Sequence, residues 1–302
     1  VGWKEDLADI LKKPVLRDVP MSRYTSIGVG GPAEMMVFPE TYDELRQVLA
    51  LARRSGVPLV ILGEGTNLLV KDGGIRGIIL NLSSVCSVLT FDNGIVRAGS
   101  AVTLPRISWE AIQRGLSGLE FALGIPGSLG GALYMNAGAY GSTIGNLMRE
   151  VTTMDLHGHI RVRAREELLF SYRRSSFQDE ETVILEGVLQ LQEGSRDSIM
   201  QQAEELLKKR RLRHPTLPSA GSVFRNPTGE PAGYLIEQAG AKGITLGGAQ
   251  VSPRHGNFIV NTGGATAADI LKLIEKVKNM VKEHFAVDLE LEIKVIGDNG
   301  VK

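Results

Sequence analysis

Cysteine is almost absent: Cys86 stands alone among 302 residues. A single thiol excludes an intramolecular disulfide framework and suits a reducing compartment, which points to the cytoplasm. Net charge is missing as well. The 34 basic residues balance 34 acidic ones, so no global field draws the chain to nucleic acid or to a membrane surface, and only local clusters are informative. The opening VGWKEDLADILKK is an amphipathic acidic-basic stretch without an apolar core or cleavage signature, so it does not read as a signal peptide. Its start on valine rather than methionine is read as an N-terminus that was trimmed or is absent from this sequence. No segment reads as a membrane span. The longest uncharged run, Phe121 to Met148, is broken by Pro126, by repeated glycine and by Asn136, whereas a spanning helix needs a nearly continuous apolar run. Metal ligands are also few. His157 and His159 flank Gly158 with no third ligand near them in sequence, and they are read as turn residues.

Within that uncharged run lies the densest feature of the chain, GIPGSLGGALYMNAGAYG at 124–141, with glycine at six of eighteen positions. Glycine admits positive φ and close approach of main-chain N–H groups to a bulky partner. Neutral, N–H-rich concavities of this kind bind phosphate, so the stretch is read as a cofactor surface. A second glycine loop, LGEGTNLLV at 62–70, offers Gly63, Gly65, Thr66 and Asn67. By itself it suits a pyrophosphate or a plain hairpin bend.

The remaining elements follow from periodicity and caps. Residues 3–12 read as a helix and 34–38 as a strand. Thr41-x-x-Glu44 reads as a capping box opening a helix to about Ser55, which Gly56 ends. Strands are expected at 58–63 and 78–80, and a strand pair around Asp92-Asn93-Gly94. Helices are expected from Thr103 to about Arg114 and from Ser195 to about Leu212, the latter ending in the basic run KKRRLRHP at 208–215. Such a run is usually a solvated helix end that suits the macrodipole, although a bound diphosphate also fits it. A turn-rich segment, PSAGSVFRNPTGEPAG, is followed by strands at 246–251 and 257–261. A helix opened by Thr266-x-x-Asp269 comes next, and LELEIKVIG at 289–297 reads as one strand with Glu292 on its open face.

In this order, LGEGTNLLV, GIPGSLGGALYMNAGAYG, SYRRSSF, PSAGSVFRNP and LELEIKVIG resemble the UDP-N-acetylenolpyruvoylglucosamine reductases of bacterial wall synthesis, from about Tyr24 to Gly297. With no long insertion after Tyr172, the chain resembles the shorter, type II branch. The resemblance implies an α+β protein: a two-subdomain FAD-binding module of the vanillyl-alcohol-oxidase (PCMH) type plus a C-terminal α+β substrate domain. The boundaries set from it are 1–80 and 81–208 for the two FAD subdomains and 209–302 for the substrate domain. It also implies noncovalent FAD, NADPH as hydride donor, and UDP-N-acetylglucosamine enolpyruvate as the substrate. No nucleic-acid, membrane or obligate protein partner is expected.

Position by position, the resemblance assigns Gly63, Gly65, Thr66, Asn67, Leu68, Pro126, Gly127, Ser128, Gly130, Gly131, Asn136, Ala137, Gly138, Tyr140 and Gly141 to FAD. It assigns catalysis to Arg173, Ser222 and Glu292, and substrate contact to Tyr172, Arg213, Asn226, His255, Asn257 and Lys294. Arg213 stands where the family usually has lysine, and Lys294 where it often has arginine. The residue types suit the chemistry. A planar guanidinium can hold a carboxylate as charge develops on it. A serine hydroxyl can supply a proton to carbon, and a glutamate can orient that donor. Two other readings compete: a different flavin oxidase on the same scaffold, and a flavin- or nucleotide-binding sensor without catalysis.

Overall fold

The computed structural model describes residues 2–299. The chain builds two compact units alternately. Residues up to Leu16, Met35–Glu64 and Gly77–Arg210 form the first, and Arg17–Glu34, Gly65–Arg76 and the residues from Arg211 onward form the second.

The first unit has two large apolar cores and a small cluster of Ile112, Ile199 and Ala203. One gathers around the helix Tyr42–Arg54, which buries Leu45, Val48, Leu49 and Ala52. Thr41 caps this helix through Glu44 N–H at 3.1 Å. The expected capping box is displaced by one residue, because the Glu44 carboxylate accepts from Glu40 N–H at 2.7 Å. The strands Leu59–Leu62 and Ile75–Asn81 run parallel, Leu59 opposite Ile78, and Leu80 adds to this core. The other core belongs to a five-stranded antiparallel sheet in the order Ile160–Ala164, Met148–Asp155, Thr182–Gln190, Ile95–Gly99, Leu89–Asp92. The helices Leu104–Gln113 and Leu129–Met135 share that core. His157 and His159 are turn residues, their N–H groups donating to the Asp155 carboxylate at 2.8 and 2.9 Å.

The second unit is a four-stranded antiparallel sheet, Ser219–Ser222, Phe258–Asn261, Ala249–Val251 and Thr245–Leu246. The helices Ala232–Gln238 and Ala267–Phe285 complete its core. Thr266 and Asp269 form the capping box expected of the long helix, and these bonds hold the Asp269 carboxyl below its usual range. The reading of 246–251 as one strand is corrected: Gly247 and Gly248 separate two short strands that pair with each other. The reading of 289–297 as one strand is also corrected, since only Lys294–Ile296 is a regular strand, parallel to Leu68–Val70. Upstream of it, Glu290 O accepts from Arg225 N–H and Glu292 N–H donates to Val223 O. That backbone pairs with residues 223–225, where Phe224 and Leu291 form an isolated antiparallel bridge. The α+β class expected from the sequence holds. Among the described residues, no helix is long and apolar enough to cross a membrane.

Candidate active site

In the first unit the glycine stretch is only partly loop. Ser128 caps the helix Leu129–Met135, its hydroxyl accepting from Gly131 N–H at 3.4 Å. Several N–H groups that sequence would offer to a ligand are used internally: Leu129 donates to Val102 O and Gly130 to Ser100 O, both at 2.8 Å. Gly130 and Gly138 are glycine for packing, since a Cβ there would lie 2.9 Å from Ser100 Cβ and 2.3 Å from Ser142 O. Gly131 and Gly141 differ: a Cβ would meet only Ser128 Oγ at 3.7 Å in the first case and nothing within 4 Å in the second. Gly127 and Gly141 hold φ of 129° and 84°, which glycine tolerates best. Tyr140 has φ 54° and an exposed ring whose hydroxyl donates to Leu206 O at 3.2 Å. Gly63 faces Ser128 Oγ.

Arg173 stands at the tip of a hairpin between Phe170–Ser171 and Arg174–Ser175. Its φ is 56°, a left-handed value that costs a residue bearing Cβ about 1–2 kcal/mol. Other bonds fix the hairpin. Asn136 Nδ2 donates to Ser171 O at 2.8 Å, Ser175 Oγ to Tyr134 O at 2.8 Å, and Gln178 Nε2 to Tyr134 O at 2.8 Å and Arg173 O at 3.2 Å. The Arg173 guanidinium donates to Gly138 O at 3.1 Å and lies over the Tyr172 ring. The candidate carboxylate binder is therefore tied to the glycine stretch at several points. Asn136 carries part of that task. Its buried side chain also accepts from Gly145 N–H at 3.1 Å, a structural role that its sequence position did not reveal.

The second unit holds Gly65, Thr66, Asn67 and Leu68 together with Ser222 and Glu292. A Cβ on Gly65 would strike Tyr24 O at 1.9 Å, so this glycine is required by the Tyr24–Thr25 backbone. Ser222 ends its strand just after Gly221, whose φ is 80°. Asn257, expected to touch substrate, holds the segment after Ser222: its Oδ1 accepts from Phe224 N–H at 2.8 Å and its Nδ2 donates to Phe224 O at 2.7 Å. Glu292 N–H donates to Val223 O at 2.8 Å, and Asn67 Nδ2 donates to Glu292 O at 3.2 Å. Ser222 and Glu292 thus sit on adjoining segments that Asn67 and Asn257 pin. Asn226 Oδ1 accepts from Ala232 N–H at 3.1 Å. His255 Nδ1 accepts from Asn257 N–H at 3.2 Å, and burial, then Lys242 and Arg213, push its pKa below the usual histidine value. The His214, His255 and Phe258 rings pack edge on and tilted, their centroids 4.8–5.7 Å apart. Arg213 is exposed at the end of its helix. Lys294 N–H donates to Asn67 O.

Known proteins match both parts of the chain. Residues 33–162 match the model of an FAD binding domain, and 213–296 match that of the UDP-N-acetylenolpyruvoylglucosamine reductase C-terminal domain. UDP-N-acetylenolpyruvoylglucosamine reductase of Caldanaerobacter subterraneus is 44% identical over 97% of this chain and 98% of its own. The chain belongs to the UDP-N-acetylenolpyruvoylglucosamine reductase family. The Bacillus subtilis member is 41% identical over 94% of this chain and 95% of its own. The crystal structure of the Thermus caldophilus member superposes with a TM-score of 0.81 at 36% identity, covering 93% of this chain and 98% of that one. A family member with an FAD binding domain is an FAD-dependent oxidoreductase. The residues present fit that cofactor, because the glycine stretch is uncharged and leaves open space beside Gly131 and Gly141.

Sequence reasoning missed one residue of this region, Arg210. It lies in the basic run, but the helix turns it toward Gly124, whereas Arg213 was the residue singled out. The helical phase of 208–213 was the available signal.

Proposed function

We propose that this protein reduces UDP-N-acetylglucosamine enolpyruvate to UDP-N-acetylmuramate for peptidoglycan precursor synthesis in the cytoplasm, with NADPH as reductant. Residues 1–80 and 81–208 serve as the FAD subdomains and 209–302 as the substrate domain. FAD, when bound, accepts hydride from NADPH and passes it to the enol ether. Gly63, Gly65, Thr66, Asn67, Leu68 and the stretch from Pro126 to Gly141 hold it. Arg173 binds the substrate carboxylate through its planar fork and stabilises the negative charge that develops there. Its left-handed backbone and the bonds around its hairpin support this role, because strain persists where the surroundings over-determine it.

Ser222 donates the proton to the carbon left electron-rich after reduction, and Glu292 orients it. The observation that carries this reading is the 2.8 Å bond from Glu292 N–H to Val223 O, which sets the glutamate beside the residue that follows Ser222. Arg213 meets the substrate diphosphate, and Tyr172, Asn226, His255, Asn257 and Lys294 contact the substrate.

Anaerobic stopped flow on Ser222→Ala tests the assignment. NADPH should bleach the flavin at a near-normal rate, since no substrate carbon needs a proton in that step. Recolouring with the enolpyruvyl nucleotide should slow by at least ~10⁴, the upper range of general acid catalysis. Normal recolouring would assign the proton to another group, and equal slowing of both phases would make Ser222 structural.

A further inference from the structure

The helix Arg196–Arg213 ends on carbonyls that its own chain cannot satisfy in the usual way. Pro215 and Pro218 stand four residues beyond Arg211 and His214. From those positions a continuing helix would send an N–H to the Arg211 and His214 carbonyls, and proline has none. Arg254 supplies the donor instead. Its Nη1 donates to Arg211 O at 3.3 Å and to His214 O at 3.1 Å. The loop that carries Arg254 is itself fixed. The buried Ser252 hydroxyl accepts from Arg254 N–H at 3.1 Å and from His255 N–H at 3.3 Å. Ser252 N–H donates to Phe258 O, and Phe258 N–H to His255 O. The His255 ring packs edge on against His214. All of these residues belong to the second unit.

Arg213 sits in sequence between the two carbonyls that Arg254 holds. It is exposed, and among the described residues its guanidinium makes no ion pair or hydrogen bond. It lies within electrostatic reach of His255, whose pKa it helps to lower after burial and Lys242. A helix C-terminus carries roughly half a negative elementary charge on its last carbonyls. A basic side chain in the last turn can fold back onto them. Arg254 satisfies both carbonyls and brings a positive charge to the helix end, so Arg213 gains little by folding back. We propose that Arg254 is a positioning residue for the nucleoside diphosphate: by capping the helix end it leaves the Arg213 guanidinium extended toward the ligand. The inference rests on the reading that Arg213 meets the substrate diphosphate.

The test is steady-state kinetics of the FAD-loaded enzyme at saturating NADPH with varied UDP-N-acetylglucosamine enolpyruvate, with thermal denaturation alongside. Arg254→Met keeps much of the stem and removes both bonds. Substrate KM should rise about five- to tenfold, the scale of one displaced contact to a charged group. The turnover number and the rate of flavin bleaching by NADPH should stay within about twofold, as for a lost binding contact. Arg254→Lys, whose ammonium can donate to both carbonyls, should restore most of the affinity. Once Arg213 is alanine there is no guanidinium left to position. Arg213→Ala with and without Arg254→Met should therefore have the same KM. An unchanged KM in Arg254→Met, where Arg213→Ala raises it, overturns the inference and leaves the diphosphate reading intact. An unchanged KM in Arg213→Ala removes that reading and the inference with it. An equal rise from Arg254→Met in both backgrounds also overturns it, since Arg254 would then act on the ligand without Arg213. So does a joint fall in turnover and melting temperature that lysine does not rescue, which marks a loosened fold. If Arg254→Met does not fold, Arg254→Gln is measured in the same way and the same outcomes decide.

Discussion

Asn136 and Ser171 are joined by a 2.8 Å bond from a buried amide to a main-chain carbonyl, and that bond fixes the hairpin bearing Arg173 to the glycine stretch. Asn136→Ala should leave Ser171 O and Gly145 N–H without partners. At about 1–3 kcal/mol per buried orphan, urea denaturation should show a loss of about 3 kcal/mol. Turnover should fall further than FAD affinity, because the loosened element carries Arg173, the proposed carboxylate binder. Equal losses in both would mean that the hairpin does not depend on this bond.

Arg173 has a left-handed backbone, which gives a comparison free of its chemistry. Arg173→Gly and Arg173→Ala should both be inactive, but the glycine variant should be more stable by about 1 kcal/mol, the cost of placing a Cβ in that conformation. Thermal denaturation of the pair measures it. Equal stability would mean that the turn relaxes when the guanidinium is removed.

Arg213→Ala tests the diphosphate contact. A hydrogen bond to a charged group is worth about 1.5–3 kcal/mol, so substrate KM should rise about tenfold to a hundredfold while flavin reduction by NADPH changes little. An unaltered KM at moderate salt would leave Arg213 as a solvated helix end, in keeping with its exposure.

His255 predicts a pH dependence of stability. Its pKa in the folded protein lies below the ordinary value of 6.5, chiefly through burial. As pH falls through that value the unfolded chain takes up a proton that the folded ring refuses, so stability is lost until the folded ring itself protonates. His255→Gln should flatten this loss. Denaturant midpoints at about pH 7.5 and pH 5.5 should therefore differ less in the variant than in the parent. An identical difference would assign the acid sensitivity to other groups.

The helices Tyr42–Arg54 and Ala267–Phe285 were legible because their signals are local. Thr41 and Thr266 each accept from an N–H three residues on, and the apolar positions recur at helical spacing. The hairpins at 92–94 and 157–159 were legible for the same reason. The roles of Asn136 and Asn257 were not, since their amides act on backbone 35 and 33 residues away, and nothing in either neighbourhood marks the partner. The strand expectation for 289–297 failed at its first half because alternation reports a buried face, not the length of a ladder, and there only a single bridge, Phe224 to Leu291, forms. Arg210 was hidden in a run of like charges whose members differ only in the direction the helix points them.

The parallel pairing of Leu68–Val70 with Lys294–Ile296, together with the Asn67–Glu292 bond spanning 225 residues, bears on the order of synthesis. A ribosome releases the glycine loop at 62–70 long before the strand that braces it exists. That loop must wait, unsupported, for most of the chain to be translated. Contacts of such separation form late and slowly, so acquisition of the flavin should follow completion of the polypeptide rather than accompany it.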